Sequence, residues 1–200
     1  MRRTQYQRPD ARESNLVNAL YPVLCFDPVL LLRAQGVRVV FLDVDGVLTD
    51  GGLYLSAQGE TLKRFNTLDG HGLKLLQKAD ITPAVITGRD SPALRLRLEA
   101  LGITQAHFGT EDKRPAAEKT LAALNLDWSQ AAAMGDDWPD LPVMRRVAFC
   151  AAPPQAHAEV KAAAHYVTAA AGGHGAVREL CDLLLTANGR YASLLAEYAQ

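Results

Sequence analysis

Asp43 and Asp45 stand one residue apart at the end of the run Val37-Arg38-Val39-Val40-Phe41-Leu42. Such a run of β-branched and large apolar residues reads as a strand buried on both faces. Side chains at i and i+2 of a strand share a face, so both carboxylates leave the strand tip toward one site. Two like charges held together are costly unless a cation or a shared proton compensates. The plainer alternative is a strand entering a polar turn, its acids bonding local backbone. The partners downstream weigh against that alternative.

Three further polar groups fall where successive strands end. Ile86 runs into Thr87-Gly88-Arg89, a hydroxyl and a turn whose amides suit a phosphate oxygen, although Thr87 also suits a plain turn or helix cap. Phe108-Gly109 leads to Lys113, a point charge for a phosphoryl group or an ordinary solvated lysine. Met134 runs into Gly135-Asp136-Asp137-Trp138-Pro139-Asp140. Three carboxylates on one turn point to a hard cation such as magnesium, with helix capping by Asp137 or Asp140 as the alternative. Together these groups offer a nucleophile, charge neutralisation and positioning, which is what phosphoryl transfer needs.

The elements that must position them alternate between strand and helix. Strands are expected at Pro83–Ile86, His107–Phe108, Ala131–Met134, Val147–Ala151 and Tyr166–Val167. Helices are expected at Gly72–Ala79, Ser91–Leu101, Pro115–Leu124, Leu141–Arg146, Ala156–Ala164 and Ala176–Ala187. Repeated βα units predict an α/β fold, a three-layer doubly wound parallel sheet with sites beyond the carboxyl ends of its strands. Residues 51–65 read as a β-hairpin turning at Ser56–Gly59, a flap that an isolated pair of strands cannot stabilise alone and that calls for a partner. The domain spans 37–188. Before it, 1–36 holds a polar Arg-rich arm over Met1 to about Asn15 and a short helix over Asp27–Gln35 closed by Gly36; after it, 189–200 reads as a tail.

A chain of 200 residues can bury a real core, and its formal net charge of −1 gives no field for nucleic acid or an anionic membrane. Cys25, Cys150 and Cys181 form no CxxC pair, which argues against a disulfide scaffold or zinc site and suits a reducing cytoplasm. The apolar segment Tyr21–Leu32 is interrupted by Pro22, Asp27 and Pro28, so it is neither a signal core nor a membrane span.

The order Asp43-Val44-Asp45-Gly46-Val47, Thr87-Gly88-Arg89, Lys113 and Gly135-Asp136-Asp137 with Asp140 resembles the four motifs of the haloacid dehalogenase superfamily, over about Val37 to Ala187. The similarity extends to its small tetrameric subgroup without a cap domain. It is carried by Asp45-Gly46-Val47-Leu48-Thr49-Asp50-Gly51, Phe65-Asn66, Asp69-Gly70-His71-Gly72, Leu141-Pro142-Val143-Met144 and Gly172-Gly173-His174-Gly175-Ala176-Val177-Arg178-Glu179. The resemblance implies a magnesium-dependent phosphatase for a sugar-acid phosphate. Its first candidate is 3-deoxy-D-manno-octulosonate 8-phosphate, in lipopolysaccharide precursor synthesis, and the alternative is a nine-carbon sugar-acid 9-phosphate.

By the same resemblance Asp43 is the nucleophile and Asp45 the general acid and base. Thr87, Gly88 and Lys113 bind the phosphoryl oxygens. Asp43, Asp45 (through its carbonyl) and Asp136 hold magnesium, with Asp137 and Asp140 orienting the site from behind. Arg64 at the hairpin base suits bidentate binding of a substrate carboxylate or phosphate. Arg178 is implied to reach substrate in a neighbouring subunit, with an ordinary surface helix residue as the alternative, and the hairpins are implied to pair into a homotetramer. His174, Ala158 and Trp138 depart from the subgroup's usual residues. No histidine is assigned to catalysis: His157 reads as a helix cap, His107 and His165 as structural, and His71 as lying near the site. A non-catalytic partner module with the same fold is the competing reading, opposed by the intact acidic set; a mutase would need a larger cap than a hairpin.

Overall fold

The computed structural model describes residues 21–57 and 59–199, so the arm over Met1 to Asn15 lies outside the described residues. At its centre is β1, Val39–Leu42, all four residues buried. It pairs in parallel with β4 (Thr82–Ile86) on one side and β6 (Ala131–Met134) on the other, and β5 (Gln105–His107), β7 (Phe149–Ala152) and β8 (Tyr166–Val167) extend the sheet in the order β5-β4-β1-β6-β7-β8. The chain runs outward from β1 first to one edge and then to the other, which opens a crevice at the carboxyl end of β1. Register brings the strand ends level: Leu42 lies opposite Val85 and Met134, and Ile86 opposite His107. Asp43, Thr87 and Gly135 are therefore the first residues past three adjacent strands.

Strand alternation divides the core in two. Val40, Leu42, Val85, Met134 and Phe149 face a layer formed by α1 (Pro28–Ala34), α2 (Thr67–Lys78), α3 (Pro92–Leu101) and α7 (Ala176–Ala187). Val39, Phe41, Ala84, Ile86 and Cys150 face α4 (Lys113–Leu124), α5 (Leu141–Met144) and α6 (Ala158–Ala163). Both faces of the sheet are covered, as the apolar strands require.

Helix α2 begins five residues before the expected Gly72. Asn66 caps it by accepting the Leu68 N–H at 2.7 Å, and Gly70 and Gly72 lie inside the helix. At Gly72 a Cβ would stand 3.0 Å from Arg178 Cδ and 3.1 Å from Cys181 Sγ, so α2 and α7 approach each other through that position. Asp69 on α2 also accepts the Arg178 N–H at 2.8 Å and satisfies the first turn of α7. Gly72→Val is expected to destabilise the protein by about 1–3 kcal/mol through overpacking. In a chain of this size that lowers Tm by roughly 2–12 °C, measurable by calorimetry.

The hairpin forms from β2 (Tyr54–Ser56) and β3 (Gly59–Leu62), antiparallel and separate from the main sheet. Leu53, Tyr54, Leu55 and Leu62 are exposed on it. The segment read as a tail folds back as α8 (Tyr191–Ala196), with Leu194 buried, Tyr198 edge-on to His71, and Lys78 bonded to Glu197 at 3.1 Å. Gly189, at φ 68°, makes the turn that allows this return.

Candidate active site

The loop after β1 is built to bring Asp136 close. The Thr49 hydroxyl donates to Val44 O at 3.2 Å and accepts the N–H groups of Gly46 and Gly51, closing residues 44–51 into a compact turn. Gly46 has φ 88°, and a Cβ there would lie 2.0 Å from Asp136 Oδ2. The missing side chain is the space that the Asp136 carboxylate occupies. Gln155 secures the loop from outside: its amide donates to Gly46 O at 2.7 Å and accepts the Gly172 N–H at 3.2 Å.

Asp43, Asp136 and Asp140 each place a carboxylate oxygen within 4.8 Å of the other two. Lys113, 5 % exposed, lies beside them, its Nζ 2.6 Å from Asp43 Oδ1 and 2.7 Å from Asp140 Oδ1. Burial works against the ammonium, but Asp43 and Asp140 outweigh it and hold the Lys113 pKa above its ordinary value. For Asp43, burial and then the Asp140 charge push the pKa up to about 6 against the pull of Lys113. For Asp136, burial comes first, then Asp43, Asp140 and Asp137, and its pKa rises to about 7. One lysine thus leaves the cluster with surplus negative charge. Oxygen donors with surplus charge, gathered in this way, fit a hard divalent cation.

Within the cluster, Asp140 is the carboxylate already committed. Its Oδ1 accepts from Lys113 and its Oδ2 from the Asp136 and Asp137 N–H groups at 3.0 and 3.3 Å. It shapes the turn, and Asp43 and Asp136 keep the free oxygens. Asp137 caps the same turn through the Trp138 N–H at 2.8 Å. The capping reading of this acidic turn is realised on Asp137 and Asp140, and Asp136 is left as the carboxylate that could share a cation with Asp43.

Thr87 is 1 % exposed; its backbone joins His107 O and Thr110 N, and its hydroxyl accepts the Arg89 N–H at 3.2 Å. Thr87, Gly88 and Arg89 share a cleft of about 370 Å³ with Asp43, Asp45, Lys113 and the acidic turn. The Asp45 carboxylate faces outward from the metal-type cluster: Oδ1 pairs with Lys63, and Oδ2 lies 3.8 Å from Arg89 Nε.

The two arginines expected at the substrate stand outside this cleft within one chain. Arg64 donates to Gly173 O at 3.2 Å, with Asp50 at 3.9 Å. Arg178 pairs with Asp182 at 2.8 Å and lines a separate cavity with His71, Tyr191 and Tyr198. His71 is consequently away from the cleft, drawn to the C-terminal helix. His157 occupies the N-cap position of α6 but makes no side-chain cap bond there, and its ring instead accepts the Trp138 indole N–H at 3.0 Å. Its N–H donates to Asp136 O at 2.8 Å, a support that its sequence position did not reveal. His107 bonds Thr120 at 2.8 Å and His165 lies against Cys150, both in structural places. Lys63 and Gln155 escaped the sequence reading altogether: a lysine in an alternating hairpin and a glutamine in a loop carry no distinguishing pattern.

A nucleophile-capable aspartate at the tip of the central strand, a second acid beside it, a buried lysine and an acidic cation turn define an aspartate-based phosphohydrolase site. Comparison with known proteins agrees. Residues 108–180 match the haloacid dehalogenase-like hydrolase family. The chain is 44 % identical to the 3-deoxy-D-manno-octulosonate 8-phosphate phosphatase of Yersinia pestis, over 86 % of this chain and 94 % of that protein. The phosphatase of Moraxella catarrhalis, solved in complex with magnesium, phosphate and KDO, superposes with a TM-score of 0.82 at 34 % identity, covering 85 % and 98 % of the two chains. The cobalt-bound Haemophilus influenzae enzyme gives 0.80 at 38 % identity over 84 % and 98 %. The chain belongs to the haloacid dehalogenase-like hydrolases, in the family of the 3-deoxy-D-manno-octulosonate 8-phosphate phosphatases.

Proposed function

We propose that this protein is a magnesium-dependent phosphatase that hydrolyses 3-deoxy-D-manno-octulosonate 8-phosphate to the free sugar acid and inorganic phosphate. The convergence of Asp43, Asp136 and Lys113 at the end of β1 carries the reading. Asp43 attacks phosphorus, and the bond from phosphorus to the sugar oxygen breaks. Asp45 gives that oxygen its proton, then takes one from the water that cleaves the aspartyl-phosphate and restores Asp43. Thr87, Gly88 and Lys113 hold the phosphoryl oxygens. Magnesium, held by Asp43, Asp136 and the Asp45 carbonyl, supplies charge neutralisation at the phosphoryl group. Asp137 and Asp140 orient the turn.

The test is phosphate release across sugar-acid phosphates with and without magnesium. The octulosonate 8-phosphate is expected to give the highest kcat/KM, and activity to disappear with EDTA. A higher kcat/KM for a nine-carbon 9-phosphate would move the substrate assignment, and no turnover of either would favour a non-catalytic partner module.

The remaining assignments complete this reading. The hairpins pair in a homotetramer, and Arg64 and Arg178 serve substrate there, Arg178 in a neighbour's cleft. The exposed Tyr54, Leu55 and Leu62 support it, because covering apolar side chains on a hairpin is favourable, up to about 1.5–3 kcal/mol for a leucine taken from full exposure to full burial. Leu55→Asp with Leu62→Asp is expected to convert the tetramer to smaller species in sedimentation velocity; an unchanged profile would place the interface elsewhere. No described helix is long and apolar enough to cross a membrane, and the free Cys25, Cys150 and Cys181 support a cytoplasmic setting.

A further inference from the structure

The Asp45 carboxylate is held by a residue that belongs to the hairpin. The Lys63 side chain, just after β3, is 1 % exposed, and its ammonium contacts Asp45 Oδ1 and lies 2.8 Å from Glu60 Oε1. Lysines are seldom buried without partners, and here two carboxylates supply them. The other Asp45 oxygen is left to the cleft, with Arg89 3.8 Å away and half exposed.

We propose that Lys63 is a positioning residue for proton delivery: it anchors one Asp45 oxygen to the hairpin so that the other stays directed into the cleft. This rests on the reading of Asp45 as general acid and base. A carboxylate free to rotate about its Cβ–Cγ bond would present its proton to the leaving oxygen only part of the time, and orientation is a large share of such catalysis. Glu60 holds Lys63 in place when Asp45 carries the proton and its attraction for the ammonium weakens. The hairpin thereby sets the geometry of the acid.

The experiment compares two esters. The sugar phosphate leaves as an alkoxide and needs a proton, whereas p-nitrophenyl phosphate releases a stable anion. Lys63→Met is expected to lower kcat on 3-deoxy-D-manno-octulosonate 8-phosphate about 10- to 100-fold, part of the roughly 10²- to 10⁴-fold that general acid catalysis contributes, and to lower p-nitrophenyl phosphate turnover by a clearly smaller factor. Lys63→Arg is expected to recover part of the difference. Equal losses on both esters, or none on either, would overturn the inference. Asp45→Asn separates the two levels: if it shows the same selectivity for the sugar ester and Lys63→Met does not, the Lys63 inference alone fails. If Asp45→Asn is itself unselective, the acid role of Asp45 fails. Residual p-nitrophenyl phosphate turnover reports folding. Should Lys63→Met not fold, Glu60→Gln keeps both partners and is expected to show a smaller loss with the same selectivity; equal effects on both esters would again refute the proposal.

Discussion

Asp43→Asn is expected to lower turnover by on the order of 10⁴-fold or more, because Asp43 is the proposed nucleophile, the first residue past β1, set beside Lys113 and within the acidic cluster. Folding should survive the change. The Asp43 charge is disfavoured by burial and by Asp140, so losing it relieves repulsion above pH 6, while losing the bond to Lys113 works the other way. Lys113 keeps Asp140, and the opposing effects are expected to leave stability within about 1 kcal/mol of the wild type. Phosphate release and a thermal melt measured on the same preparation separate loss of the nucleophile from loss of the fold. A variant that matched the wild type in hydrolysis would establish the non-catalytic module instead.

The second large effect couples magnesium, pH and stability. In the folded protein Asp43 and Asp136 have pKa values raised from 3.8 to about 6 and about 7. A raised carboxyl pKa means that the folded state binds protons more tightly than the unfolded chain. The metal-free protein therefore gains stability as pH falls through 7 and 6; the gain is complete below 3.8 and is lost again on the way up. Magnesium needs the same oxygens ionised, so its stabilisation runs opposite to that of protons, largest above pH 7 and shrinking below 6. At a hundred times its dissociation constant, magnesium should add about 2.7 kcal/mol, a rise in Tm of roughly 5–10 °C for a chain of this length. Asp136→Asn is expected to remove most of that rise and to flatten its pH dependence. The informative quantity is the difference between wild type and variant at pH 5.5 and pH 8. A magnesium shift that survives in Asp136→Asn would put the ion somewhere else.

Much of this architecture is legible before any coordinates. Ala131–Met134 and Ala176–Ala187 coincide with β6 and α7, because a strand buried on both faces and a helix with a broad apolar face leave continuous patterns. The carboxylates were legible as well, since acids at the tips of apolar strands conflict with burial and call for a counter-charge. What stayed hidden depends on packing across the chain. Gly72 looks like the start of α2 until Arg178 and Cys181 are seen against it. Lys63 looks solvated until Asp45 and Glu60 close around it. His71 reads as lying near the site, but the return of the chain through α8 sets it edge-on to Tyr198 instead. Contacts between segments distant in sequence are not encoded in local periodicity.

The hairpin offers its leucines outward and its lysine inward to Asp45. In the proposed assembly one small element answers both to neighbouring chains and to the acid. Specific activity should therefore depend on enzyme concentration, falling on dilution below the dissociation constant of the assembly. Turnover measured at nanomolar protein would then understate the rate that the same molecule reaches when crowded.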